Sequence, residues 1–298
     1  MTLPTADTRV TYPAGALVST GTVLHVETVG DRVAVVLDET ACHPVDAAWP
    51  DQPADQATIR FGDGDDGREV AVLDCVVGAT DGTELYLGDA VPVKKGTEGW
   101  AFLVVHLIAR DATTAAGAIE GATARIEVDA ATRHALSAGH TGCHLASLAL
   151  NAALADAWRK EVVLDTLGAP DFDALACESS RIAPHASTDR YRIGKSLRRK
   201  GFDPAALDDL EALGARIRET LDGWLDSGAA VRIDRDGDEL TDRRRWHCEL
   251  PGGPAVLACG GTHAASLTEF SSIAVWLERE EVDGAVVLSM VSTVVPAG

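Results

Sequence analysis

Two short segments hold residues whose types and spacing can bind a metal. His140-Thr141-Gly142-Cys143-His144 sets two imidazoles four positions apart, which is one turn if the segment is helical. Cys259-Gly260-Gly261-Thr262-His263 sets a thiolate and an imidazole at the same interval around a glycine pair. Nitrogen and sulfur donors of this kind suit zinc in tetrahedral geometry. Either pair alone arises readily by chance in a chain with 9 His and 6 Cys. Both together are expected in about one such chain in twenty.

Gly139 and Gly142 flank His140 inside the expected helix, and each costs about 1 kcal/mol relative to Ala. Small residues there predict room beside His140 for a substrate or another backbone. The competing reading makes His140 and His144 ordinary core histidines on an apolar face. His25, His43, His106, His134, His185 and His247 have no partner at ligand spacing and read as structural or surface residues. Cys42, Cys75, Cys143, Cys177 and Cys248 read as small buried hydrophobes, with Cys143 near enough to the site to line it. A zinc peptidase of the His-Glu-x-x-His type needs Glu where Thr141 stands. The knuckle spacing of a zinc finger is absent from the sequence, as is a glycine-rich phosphate loop ending in Lys-Ser/Thr.

The elements that would position these residues fall into two halves. Val23–Val29 and Arg32–Thr40 are β-branched runs around Gly30-Asp31, a hairpin signal. Ala57–Phe61, Glu69–Val77, Glu84–Leu87, Trp100–Ala109 and Arg125–Val128 are further strand candidates, separated by turns such as Gly62-Asp63-Gly64-Asp65. Short strands at this spacing predict a small barrel or sandwich. From Ala130 to about Trp158 the pattern becomes helical, with Asp129 as cap and Leu136, His140, Cys143, His144, Leu148 and Leu154 on one face. Asp203-Pro204 opens a second expected helix. Strand signals follow at Ala229–Ile233, Arg244–Leu250, Ala255–Ala258, Ile273–Glu278 and Ala285–Val294. The expected architecture is α+β: an N-terminal β-barrel over residues 1–128, then an α+β metal-site domain over residues 129–298.

Of 298 residues, 46% are hydrophobic and 24% charged, the balance of a soluble globular chain. The longest apolar stretch, near Trp100–Ala109, is too short to span a bilayer. Met1–Val10 has no secretory pattern, and six irregularly spaced cysteines form no disulfide framework, so a reducing cytoplasm is expected. The net charge of −20 argues against non-specific DNA or RNA binding. Locally, however, Arg190, Arg192, Lys195, Arg198, Arg199 and Lys200 form a strip without an acidic residue, suited to one polyanionic partner or to a solvated loop. Arg243, Arg244 and Arg245 are a second, shorter basic run.

Val128-Asp129…Arg133…His140-Thr141-Gly142-Cys143-His144-Leu145, followed by Cys259-Gly260-Gly261-Thr262-His263, resembles the editing domain shared by alanyl- and threonyl-tRNA synthetases and the free-standing AlaX-type proteins. Val35-Val36-Leu37-Asp38-Glu39-Thr40 and Gln52-Pro53-Ala54-Asp55 resemble the N-terminal barrel of the AlaX proteins, so the likeness covers most of the chain. It implies the fold of the synthetases' second additional domain and a zinc-dependent hydrolase that cleaves a wrong amino acid from the tRNA 3′ end. With no synthetase core in the sequence, that hydrolase would act in trans. The resemblance assigns His140, His144, Cys259 and His263 to zinc, and Thr141 and Gln52 to contacts with the aminoacyl group. Gly142, Cys143, Gly260, Gly261 and Thr262 would line the substrate pocket, and the Arg190–Lys200 strip would meet the phosphates of tRNA.

Two departures bear on specificity. Val45–Asp51 is longer than the family's loop and has no glycine, and Gly142-Cys143 replaces the usual Ala-Thr. Both suggest a reshaped pocket, which makes threonine-analogue esters, including fluorothreonyl-tRNA, candidates beside Ser- and Gly-esters of alanine tRNA. A hydrophobic pocket separates near-isosteres only modestly, which is why a separate editing step is useful. Three protein ligands would leave zinc an open position; four would close the site. An RNA-binding module with structural zinc, or a zinc hydrolase of small aminoacyl substrates, is therefore also compatible with the sequence.

Overall fold

Alternating burial along Val18–Val29 shows how the first half of the chain builds its core: Ser19, Val23 and His25 turn inward while Val18, Thr20 and Leu24 face out. The computed structural model describes residues 3–62, 69–111 and 119–298. The expected Gly62-Asp63-Gly64-Asp65 turn therefore lies, from Asp63 on, outside the described residues. The chain is a sheet-rich α+β protein. It divides into two compact units, one of Met1–Arg133, Arg235–Arg244 and Gly260–Thr262, the other of His134–Asp234, Arg245–Cys259 and His263–Gly298.

The strands of the first unit are β1 (Arg9–Val10), β2 (Val18–Val29), β3 (Arg32–Leu37), β4 (Glu39–Thr40), β5 (Ala57–Phe61), β6 (Glu69–Thr80), β7 (Leu85–Leu87), β8 (Ala101–Ala109) and β9 (Thr123–Val128). The hairpin at Gly30-Asp31 forms as the sequence predicts, with Val29 opposite Arg32. Seven strands make one antiparallel sheet in the order β5-β9-β2-β3-β8-β6-β7, and β5 also pairs with β6. The main core, with Val35, Leu37, Ile59, Phe102, Val104, Ile108 and Ile126, lies on one face of this sheet. A buried ion pair ties the chain just before β5 inward. Arg133 donates to both Asp55 oxygens and to Ala41 O, while Asp55 Oδ2 also accepts from the His43 amide at 2.6 Å.

The second unit holds helices α1 (Ala130–Ala153, whose first turn belongs to the first unit), α2 (Phe172–Ala176), α3 (Lys195–Arg199) and α4 (Leu210–Leu225). Its strands are β10 (Cys177–Ala183), β11 (Ala186–Ile193), β12 (Val231–Arg235), β13 (Arg244–Leu250), β14 (Gly253–Ala258), β15 (Phe270–Val282) and β16 (Ala285–Pro296). They form two sheets, β10-β11-β16-β15 and β12-β13-β14. Asp129 caps α1 as expected, accepting from Thr132 N at 2.7 Å.

Three expectations are corrected. First, α1 ends at Ala153, because Ala157–Arg159 is drawn into extended pairing with Gly201–Asp203. Second, Asp203-Pro204 opens only a short 3₁₀ turn; α4 starts separately, with Asp209 accepting from Ala212 N at 2.9 Å. Third, helices do not simply precede strands: the β10–β11 hairpin intervenes, and β11 pairs with β16. Its inward positions include the polar Ser180, Ser187 and Asp189, so the alternation of a strand is hidden in the sequence.

Helix α1 sits unusually close to this hairpin. A Cβ on Gly139 would lie 2.7 Å from Ala186 O and 2.8 Å from Ala186 N, and closer still to Ala183 O. Gly139→Ala should therefore cost about 3 kcal/mol, since backbone cannot step aside as a side chain can. Gly223 lies exposed in α4 with nothing near its missing Cβ, and Gly223→Ala should raise stability by about 0.5–1 kcal/mol. Urea melts of both variants check the pair; equal effects would show that the close approach does not govern Gly139.

Candidate metal centre

His140 and His144 project from α1 one turn apart, their ring centroids separated by 4.7 Å. His263 follows β14 and brings its ring to 4.3 Å from that of His140 and 5.0 Å from that of His144. Cys259 Sγ lies 3.4 Å from His140 Nε2 and 3.2 Å from His263 Nε2. One donor atom from each of the four residues falls within 4.8 Å of all the others. Ligands on a common tetrahedral ion stand about 3.3–3.8 Å apart at ordinary bond lengths, close to the separations of Cys259 Sγ from both histidines. The competing reading of separate core histidines does not describe this cluster.

Two further observations fit an ion here. His144 Nε2 is buried with no hydrogen-bond partner, an arrangement that costs free energy unless something else meets its lone pair. Burial also pushes the His144 imidazole down to about 4, which keeps the ring neutral and able to donate that lone pair at neutral pH. Trp246, fully buried on β13, walls the cluster with its ring 5.1 Å from that of His144. The sequence marked Arg244–Leu250 only as a strand; inward alternation along it is the signal that points Trp246 to the site.

Thr141 is fully buried, with Oγ1 accepting from the Ala264 amide at 3.1 Å and lying 3.3 Å from His263 Nδ1. When His263 offers Nε2 to a metal, its Nδ1–H donates to Thr141, which fixes both tautomer and ring orientation. Thr141 is thus a positioning residue for a ligand. Gln52 makes two hydrogen bonds to Thr262: its Nε2 donates to Thr262 Oγ1 at 2.8 Å and its Oε1 accepts from Thr262 N at 3.0 Å. These bonds hold the turn that joins Cys259 to His263. Gly260 has nothing within 4 Å of where a Cβ would stand, so that turn leaves open space beside Cys259.

Other residues singled out by the sequence lie elsewhere. The open side of Gly142 is filled by the Val294 side chain. The Cys143 thiol donates to Asp189 Oδ1 at 3.4 Å and lies 3.6 Å from Ser180 Oγ. Ser180 and Ser187 also donate to Asp189, at 2.6 and 2.9 Å, and Ser187 pairs with Ser292. Burial raises the Asp189 carboxyl above its usual range, while those donors work against the rise. The basic strip divides: Arg190 pairs with Glu280 at 3.0 Å and Arg192 with Glu178 at 3.7 Å on the sheet, while Lys195, Arg198, Arg199 and Lys200 are exposed on and after α3. Arg244 is buried, donating to Leu240 O and Glu239 O, and is not part of a basic surface.

No protein-family model matches the chain, and no curated protein matches it. Among the described residues, no helix is long and apolar enough to cross a membrane. The site itself carries the functional argument. Thr141→Val should lower its metal affinity about 10- to 100-fold, as loss of a ligand's orienting partner does. Competition with a chromophoric chelator measures this; unchanged affinity would remove Thr141 from the set that orients His263.

Proposed function

We propose that the chain is a trans-acting, zinc-dependent aminoacyl-tRNA deacylase that hydrolyses the ester of a mischarged amino acid. The observation that carries this reading is the convergence of both sequence motifs on one four-donor cluster. Three imidazoles and one thiolate fit zinc better than a hard, oxygen-preferring cation. Zinc held by His140, His144, Cys259 and His263 would supply Lewis-acid polarisation of the ester carbonyl.

The chain's own residues do the rest. Thr141 orients His263, Gln52 and Thr262 fix the Cys259–His263 turn, and the glycine at 260 leaves room for an aminoacyl group. Because the Gly142 face is filled and Cys143 bonds to Asp189, substrate contacts on this reading fall to Gly260, Gly261 and Thr262. The returning β5–β6 pairing supports reading the first unit as a barrel of the AlaX kind. The altered Val45–Asp51 loop keeps a threonine analogue among the candidate esters. Four donors rather than three favour one rival, an RNA-binding module whose zinc is structural.

A panel of charged tRNAs separates these readings: Ser-, Gly- and Ala-esters of alanine tRNA, threonine and fluorothreonine esters of threonine tRNA, and free aminoacyl esters. Hydrolysis of one tRNA ester that vanishes in Cys259→Ala is expected. Folded, zinc-loaded protein that hydrolyses nothing would favour the binding module, and cleavage of free esters alone would favour the small-substrate hydrolase. Within the basic strip, reversing Lys195, Arg198, Arg199 and Lys200 together should weaken tRNA binding and flatten its salt dependence, more than reversing the ion-paired Arg190 and Arg192 does. Binding isotherms at several salt concentrations read the difference, and unaltered slopes would reject the strip as a phosphate site.

A further inference from the structure

A second cluster of metal-binding side chains lies in the core of the first unit. Cys42 follows β4, Cys75 lies on β6 and His106 on β8, and all three are fully buried. Sheet register brings two of them together: His106 stands opposite Cys75 on one side and Val35 on the other, so these side chains share the face that carries Val104 and Ile108, and Cys42 joins them from the chain after β4. One donor atom from each of the three residues lies within 4.8 Å of the others.

The imidazole is already in the state a metal requires. His106 Nδ1 donates to Val35 O at 3.1 Å, so Nε2 carries the lone pair. That lone pair accepts from the Thr40 hydroxyl at 3.0 Å, and the Thr40 oxygen in turn accepts from the Cys42 amide at 3.1 Å. A backbone carbonyl on the second ring nitrogen is the usual support for a metal-bound histidine. Nothing in an apolar core requires two cysteines and a histidine to converge; three aliphatic side chains would fill the space without polar groups.

We propose that Cys42, Cys75 and His106 form a second metal site, for a thiophilic divalent cation of which Zn²⁺ is the type. Binding releases both thiol protons to solvent, and two thiolates, a neutral imidazole and a divalent ion sum to zero charge. A neutral assembly suits a fully buried site, where an uncompensated charge is costly. Thr40 Oγ1 is an oxygen at hand for a fourth position. The role is structural: the ion ties the chain after β4, which leads into the loop carrying Gln52, to the central strands β6 and β8. This site is independent of the deacylase reading.

The test is zinc content of the full chain, saturated with Zn²⁺ under a phosphine reductant and freed of excess by gel filtration. Two zinc ions per chain are expected. The double variant Cys259→Ala/His263→Ala should retain one, and adding Cys75→Ser to it should remove that one. A single ion in the native chain, absent from the double variant, would overturn the proposal. So would a retained ion indifferent to Cys75→Ser. His106→Gln in the same background replaces Cys75→Ser if the latter does not fold, with loss of the ion again expected.

Discussion

The closeness of helix α1 to the β10–β11 hairpin governs the second unit. Gly139 rests on the backbone of Ala183 and Ala186, and the turn at His185 donates its amide to Ala135 O at 2.8 Å. His185 itself accepts from Val294 N, so hairpin, helix and C-terminal strand are joined at one point. Two mid-helix glycines are costly by propensity, and close packing of Gly139 on the hairpin backbone and of Gly142 on the Val294 side chain offsets that cost. At the other end of α1, Asn151 accepts from the Asp173 amide at 2.8 Å and donates to Asp165 and Asp171. Held at both ends, the helix presents His140 and His144 to Cys259 and His263 with little freedom, the condition for a pre-formed metal site.

Polar groups inside each unit are used for position. Asp189, whose carboxyl burial raises above its usual range, accepts from Ser180, Ser187 and Cys143. Arg133 and Asp55 are a buried pair completed by the carbonyls of Ala16 and Ala41 and the amide of His43. Arrangements of this kind add little net stability but permit one geometry, because any shift leaves a buried group unsatisfied. Gln52, far from Thr262 in sequence, holds it by two bonds.

The two metal-binding clusters differ in construction. One is assembled from paired residues four apart, on a helix and on a turn, with His140 buried and the other three residues half-buried. The other draws single residues from β6, from β8 and from the chain after β4, and all three are fully buried.

Much of this was legible in residue order. Most strands, the Gly30-Asp31 hairpin, the Asp129 cap and the donors at 140, 144, 259 and 263 follow from local pattern, because helical and strand periodicities and turn chemistry act over a few residues. The β10–β11 hairpin was hidden by inward Ser180, Ser187 and Asp189, whose burial only their mutual bonding makes tolerable. The purpose of Gly139 and Gly142 was also decided by packing: backbone and Val294 fill the space that the sequence reserved for substrate or for another backbone. Cys42, Cys75 and His106 have no meaningful spacing along the chain. Strand register, which depends on hydrogen bonds between distant segments, sets Cys75 opposite His106, and the chain after β4 brings Cys42 to them.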